Sequence, residues 1–192
     1  MRFTVVVVTW NGAHLLDDCL RGLAAQTVDH RVVVVDNGSA DDTATVLAKY
    51  DVDVVRLPKN IGFAGGANAG VARARTEWVA LLNNDAVPRP DWLERLDRDA
   101  GVAVKDVGFL ASTLTFPDSD VVDSAGDEID RAFTAAPRGH GRSLSTFRPR
   151  GEKYVGACGG AAAYRVDMWR QLGGFSEPYF PKAFSGSPIS KM

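Results

Sequence analysis

Residues 3–12, FTVVVVTWNG, and residues 31–39, RVVVVDNGS, decide the fold. Each is a run dominated by valine that stops at polar turn residues and a glycine. A strand with one wet face alternates apolar and polar residues. A run without alternation reads instead as a strand buried on both faces, as in a parallel sheet covered by helices. Between the two runs, Leu15, Leu16, Cys19, Leu20 and Leu23 fall on one helical stripe, with Asp17, Asp18 and Arg21 off it.

The cycle repeats along the first half. Asp41-Asp42 place negative charge at the start of a helix expected to run through about Tyr50. Val52 to Leu57 is a third strand, stopped by Pro58. Asn60 to Gly70 reads as a glycine-rich loop running into a helix that ends near Arg75, and Trp78 to Leu82 is a fourth strand ending at Asn83-Asn84-Asp85. Four alternations of strand and helix give an α/β class, a Rossmann-like, mostly parallel sheet with helices on both faces. Beyond residue 110, where six of the nine prolines lie, the pattern loosens. The expected elements there are a strand near Val107 to Thr115 and a hairpin with Val121-Val122 and Ile129 around Ala125-Gly126. A long loop over 133–153, a strand at Tyr154 to Ala157 and a short helix from Val166 to Leu172 follow.

Composition bounds the function. The chain has 192 residues, 45% hydrophobic, enough for one domain with a real core. Its 22 basic and 24 acidic side chains leave a net charge of −2, which gives no electrostatic reason to expect nucleic acid as a partner. Two cysteines, Cys19 and Cys158, make neither a disulfide framework nor a metal cluster, and point to a reducing, cytoplasmic setting. No apolar run reaches the ~18 residues of a membrane span. The apolar opening ends at Asn11-Gly12 with no small-residue cleavage site, so no leader is expected.

In an open parallel sheet, ligands bind outside the carboxyl ends of the strands. Here those ends carry Thr9-Trp10-Asn11-Gly12, Asp36-Asn37-Gly38-Ser39 and Asn83-Asn84-Asp85, and the glycine-rich stretch follows the third strand. Taken singly, each has two readings. Asp36 closes its own turn, or accepts a hydrogen bond from the ring N–H of a base. The glycines of 60–70 cradle a phosphate with backbone N–H groups, or let a helix pack closely. Asn83-Asn84-Asp85 is a capped turn before Pro88 and Pro90, or an oxygen-rich corner for a hard divalent cation whose shell a diphosphate completes. The basic stretch with Arg138, His140, Arg142, Arg148, Arg150 and Lys153 is a solvated loop, or a patch for phosphate or lipid head groups. No Gly-x-Ser-x-Gly elbow supports hydrolase chemistry.

Taken together, VVVVTWNG, VVVVDNGSADDT, NIGFAGGANAG and LLNNDA, in this order, resemble the family 2 glycosyltransferases, with the rhamnosyltransferase-type enzymes of bacterial cell-surface polysaccharide synthesis as the nearest subgroup. VGACGGAAAYRVDMWRQLGGFSEPYF is similar to the segment leading into the family's catalytic region. The resemblance covers residues 3 to about 180. It implies a single GT-A domain, with a nucleotide-sugar half over 1–116, an acceptor-side half over 117–180 and a divergent tail over 181–192. It further implies inverting transfer of a sugar, such as rhamnose from its dTDP donor or a sugar from UDP, to a hydroxyl of a glycan or lipid-linked acceptor. Carried over by position, the nucleotide-sugar-binding residues are Thr9, Trp10, Asn11, Asp36, Asn37, Asn60, Gly62, Gly65, Asn68, Asn83 and Asn84, with Asn68 closing over the nucleotide. Asp85 is the implied ligand of Mg²⁺ or Mn²⁺, and Asn83 stands where the first Asp of a DxD motif is usual.

The family's base is an Asp some ten residues beyond a Gly-Gly-Phe-Asp-Glu stretch. This chain reads Gly173-Gly174-Phe175-Ser176-Glu177, and 178–192 hold no Asp, Glu or His, so Glu177 is the last acid and the catalytic region reads as truncated. A nucleotide-sugar-binding module without the base is therefore the alternative function. Peripheral contact with the inner face of a membrane through 138–153 is the expected partner surface besides donor and acceptor. Loss of a covering segment is expected to leave apolar surface around Phe175, Tyr179, Phe180 and Phe184.

Overall fold

The computed structural model describes residues 1–129, 134–148 and 156–177. Its centre is a six-stranded sheet. Strands β1 (Phe3–Thr9), β2 (His30–Asp36), β3 (Asp53–Arg56) and β4 (Trp78–Asn83) are the four buried runs of the first half. β5 (Phe109–Ala111), β6 (Leu114–Thr115), β7 (Val122–Ser124), β8 (Asp127–Ile129), β9 (Ala135–Pro137) and β10 (Ala161–Arg165) follow. The sheet order is β3-β2-β1-β4-β10-β5. The neighbouring pairs among β1 to β4 are parallel, and β10 alone runs antiparallel, between β4 and β5.

The helices are α1 (Ala13–Ala24), α2 (Thr43–Leu47), α3 (Gly62–Val71), α4 (Trp92–Val102) and α5 (Val166–Leu172). Successive residues of β1 point to opposite faces, so Phe3, Val5 and Val7 enter one core and Val6 the other. The first core takes Leu16, Cys19, Leu20 and Leu23 of α1, Val46 and Leu47 of α2, and Leu93, Leu96 and Ala100 of α4. The second takes Ala67 and Val71 of α3 with Val166 and Trp169 of α5. Helices therefore cover both faces of a mostly parallel sheet, as the valine runs require.

Four expectations change. The glycine-rich stretch is helix from Gly62, not a loop. A Cβ on Gly66 would lie 2.7 Å from Val8 Cγ1, and one on Gly70 would lie 2.4 Å from Val6 Cγ1 and 3.0 Å from Val35 Cγ2. Close seating on the sheet outweighs the poor helix propensity of glycine. The sequence reading assigned no element between Pro90 and Val107, where α4 lies, nor at β10, an alanine-rich strand held by pairing on both edges. Gly126 does turn the chain, with φ +95°, but the expected hairpin does not form. β7 pairs with β6 and β8 with β9, because Ala125 N–H bonds Arg138 O and Arg138 N–H bonds Gly126 O. Of the strand expected at Tyr154 to Ala157, Tyr154 and Val155 lie outside the described residues, and Gly156 makes an isolated bridge to Asp127.

Gly70→Ala is expected to destabilise the protein by about 1–3 kcal/mol through overpacking. Gly101→Ala on α4, where a Cβ would meet only Arg2 Nη1 at 3.3 Å, should stabilise it by about 0.5 kcal/mol. Urea denaturation of both variants checks the pair, and shifts of the same sign would contradict the close-approach account of α3.

Candidate functional site

Strand register brings the polar strand ends to one level. Thr9 is the Cα neighbour of Asp36, Asp36 of Arg56, and Val8 of Asn83, so four strands deliver their last residues to one rim. Thr9, Asp36 and Asn37 are 1%, 8% and 2% exposed, whereas Trp10, Asn60 and Asp85 stand open to solvent.

Asparagines bracket this rim. Asn37 N–H donates to Thr9 O at 2.9 Å. The Asn37 side chain donates through Nδ2 to Asn60 Oδ1 (3.0 Å) and Gly62 O (3.1 Å), and its Oδ1 accepts Ile61 N–H at 3.0 Å. Asn60 Oδ1 also accepts Gly62 N–H at 2.8 Å, which fixes the entry to α3 where Gly62 takes a left-handed φ of +84°. Asn11, itself at φ +49°, bonds the facing turn twice: its N–H donates to Ser39 Oγ and its Oδ1 accepts Ala40 N–H. Asn84 Nδ2 donates to Thr9 Oγ1 at 3.0 Å, over a Gly12 whose Cβ would lie 2.1 Å from that nitrogen. The Asp36 Oδ1 accepts Ser39 N–H at 2.9 Å, the turn-closing bond that is one of the two readings of this residue.

Asp41 was not singled out as a site residue, yet it joins two elements. Its Oδ2 accepts Ala13 N–H at the start of α1, and its Oδ1 accepts the Thr43 N–H and hydroxyl. Burial alone would raise this carboxyl, but hydrogen bonds from the Thr43 hydroxyl and the Ala13 and Thr43 N–H groups outweigh it and hold it below the ordinary value.

At the end of β4, Asn83 N–H bonds Gly160 O, and the Cys19 thiol donates to Asn83 O at 3.6 Å. Burial, and then the charge of Asp85, push the Cys19 thiol up to about 12. A Cβ on Gly160 would lie 3.6 Å from Cys158 Sγ and 3.7 Å from Asn83 Nδ2, so the segment before β10 brings Cys158 to the same corner. Arg56 and Cys158 are the rim residues the sequence reading missed. The strand-end rule could have found Arg56; nothing local signals Cys158.

The donor set at this corner is one exposed carboxylate, Asp85, with the Asn83 amide beside it and the Asn84 amide already bonded to Thr9. Among the described residues no three His, Cys, Asp or Glu side chains group to hold a metal ion. The set therefore fits a hard cation whose remaining ligands come from a diphosphate, and does not fit a cation held by protein alone.

Asn68 and Gly65 sit on α3. The Gly65 Cβ position is 2.8 Å from Cδ1 of Ile61, the residue that caps this helix. Asn68 is brought to the C-terminal segment, where it bonds Phe175 and Glu177. Phe175 is half-buried: its ring lies 4.5 Å from Trp169, 5.9 Å from Tyr164 and 6.2 Å from Phe63. Tyr179, Phe180 and Phe184 lie outside the described residues, as do Arg150 and Lys153. Of the basic stretch, His140, Arg142 and Arg148 are exposed, while Arg138 is buried. Among the described residues no helix is long and apolar enough to cross a membrane.

Comparison with known proteins gives a family-model match, "Glycosyl transferase family 2", over residues 4–173. The succinoglycan biosynthesis protein ExoO of Rhizobium meliloti is 38% identical over 104 residues, which is 52% of this chain and 30% of that protein. Among solved structures, the mannosyltransferase PcManGT from Pyrobaculum calidifontis, in complex with GDP-Man and Mn²⁺, superposes with a TM-score of 0.66 at 22% identity, covering 92% of this chain and 48% of the other. S. aureus TarS 1–349 in complex with UDP-GlcNAc gives 0.63 at 21% identity, covering 90% and 48%. These two share the GT-A architecture with this chain, which spans half or less of all three proteins.

Asp41→Ala is expected to cost about 1 kcal/mol at pH 7. Because the folded-state pKa of Asp41 lies below the unfolded one, that contribution is complete above the ordinary carboxylate value near 3.8 and fades as pH falls through the folded value. Urea titrations of variant and wild type should therefore converge in acid; a gap constant down to pH 2 would contradict the bonding. At pH 8, iodoacetamide should modify half-buried Cys158 and leave Cys19 untouched, as peptide mass spectrometry would read.

Proposed function

Because this chain belongs to glycosyl transferase family 2, we propose that it binds a nucleoside-diphosphate sugar at the rim formed by the ends of β1, β2 and β4, and serves inverting transfer of the sugar to a hydroxyl of a glycan or lipid-linked acceptor in polysaccharide synthesis. The observation that carries this reading is the level rim, with a buried Asp36 at one end and an exposed Asp85 at the other.

Asp36 accepts the ring N–H of the base through its carboxylate, Thr9 and Asn11 line the base and ribose, and exposed Trp10 lies beside them. Asn37, Asn60, Gly62 and Gly65 hold the entry of α3 against this end. Asp85, with Asn83 and Asn84 around it, holds Mg²⁺ or Mn²⁺ together with the donor's phosphates; when bound, the cation offsets the negative charge that develops on the leaving diphosphate. Asn84 meanwhile keeps Thr9 in place. The structural neighbours that bind UDP-GlcNAc or GDP-Man with Mn²⁺ support a nucleotide-sugar donor and a divalent ion. The motif resemblance favours dTDP-rhamnose or a UDP-sugar. ExoO, a protein of succinoglycan biosynthesis, supports a polysaccharide setting. The exposed His140, Arg142 and Arg148 give the domain a basic contact for an anionic membrane surface on the cytoplasmic side, where a lipid-linked acceptor would be met.

Inversion also needs a base on the face opposite the leaving group. Residues 178–192 contain no Asp, Glu or His, and this favours one second reading, nucleotide-sugar binding without transfer by this stretch of chain.

Calorimetric titration with UDP, dTDP and GDP, each with and without Mn²⁺, tests the proposal. One nucleotide should bind at least tenfold more tightly with Mn²⁺, and Asp85→Ala should abolish that gain. Equal binding by the variant would overturn the metal assignment, and absence of binding by any nucleotide would overturn the donor site. Sugar transfer to any acceptor, or hydrolysis of the donor, would eliminate the second reading.

A further inference from the structure

The Asn68 side chain makes three hydrogen bonds, all to residues more than a hundred positions away. Its Oδ1 accepts Phe175 N–H at 2.9 Å, and its Nδ2 donates to Phe175 O at 2.9 Å and to Glu177 Oε1 at 3.0 Å. A side-chain amide can accept from the N–H and donate to the C=O of one residue as a neighbouring strand would; a carboxylate lacks the donor and an apolar side chain lacks both.

The turn is shaped to receive it. Gly173 and Gly174 have φ of +78° and +79°. A Cβ on Gly174 would lie 2.4 Å from Asn68 Oδ1 and 3.0 Å from Trp169 Nε1. On the other side, the Phe175 ring packs among Trp169, Tyr164 and Phe63. Phe63 and Asn68 both belong to α3, whose first turn Asn37 and Asn60 tie to the rim. One short helix thus touches the strand ends with its N-terminus and grips the Glu177 turn from its middle.

We infer that Asn68 is a positioning residue that acts through the 173–177 turn rather than on the nucleotide. It registers the Glu177 carboxylate, and the point from which the chain continues, against the donor end of the site. The inference rests on the donor-site reading only for its affinity measurement.

Amide exchange measured by NMR on the full chain tests it. In Asn68→Ala, and in the isosteric Asn68→Asp, which sets a carboxylate oxygen against Phe175 O and Glu177, the Phe175 N–H should exchange at least tenfold faster than in wild type. Ala72 N–H, bonded to the Asn68 backbone carbonyl, should keep its protection and report an intact α3. Adding Glu177→Gln to Asn68→Asp restores a donor to the pair and should slow Phe175 exchange at least threefold; no recovery would overturn the Glu177 contact. Calorimetric nucleotide affinity should stay within twofold of wild type in both single variants. Phe175 exchange within twofold of wild type, or a tenfold loss of affinity in either single variant, would overturn the assignment. If wild type binds no nucleotide the donor-site reading fails by itself, and the exchange rates still decide the role of Asn68.

Discussion

The seating of α3 on β1 and β2 is the contact on which the rest of this structure depends. Gly66 and Gly70 present no side chain to Val8, Val6 and Val35, so helix and sheet approach more closely than any Cβ would allow. Interiors packed at this density have little room to give. That distance places the α3 entry within reach of Asn37 and places Asn68 within reach of the turn after α5. A helix standing even one methyl group higher would lose both connections.

The rim is rigid for a related reason. Its loops are joined by side-chain amides and carboxylates rather than by apolar packing: Asn11 to the 39–40 turn, Asn37 to 60–62, Asn84 to Thr9, Asp41 to the start of α1. Most of these bonds satisfy a backbone or hydroxyl group that would otherwise need water, and each ties together segments from different parts of the chain. Among the described residues, the Trp10 indole, the Asn60 side chain and the Asp85 carboxylate stand open to solvent at this rim, and their spacing is set by strands that cannot shift independently.

Much of this was legible in the sequence because its cause is local. Valine runs announce doubly buried strands, and the residues that end them must lie at the sheet's edge, so the sequence alone assigns Thr9, Asp36 and Asn83 to one rim. Helix α5 was legible to the residue. What escaped has a non-local cause. Alanines at 161–163 carry no strand preference and become strand because β4 and β5 hold them from both sides. Glycines at 66 and 70 argue against helix until the valines beneath them are known. The stripe of α4 rests on Leu93, Leu96 and Ala100 alone, among charged neighbours and just after two prolines. The turn at Gly126 is local and legible, but the pairing of its arms is settled by residues 135–138, too far along the chain for a local pattern to foresee.

The position of β10 bears on the order of assembly. Strands β1 to β4 come from the first 83 residues and can pair in sequence as the chain is made, whereas the partner for the outer edge of β4 arrives only with residues 161–165. Until then β4 presents unpaired N–H and C=O groups beside the apolar side chains of both cores, an edge open to any other extended chain. Strand β5 is nearer in sequence but cannot take its place in the sheet until β10 lies between them. Closing so late a strand into the middle of a sheet is entropically slow. The growing chain is therefore most exposed to misassembly in the interval when its core is already hydrophobic and its last interior strand has not yet been synthesised.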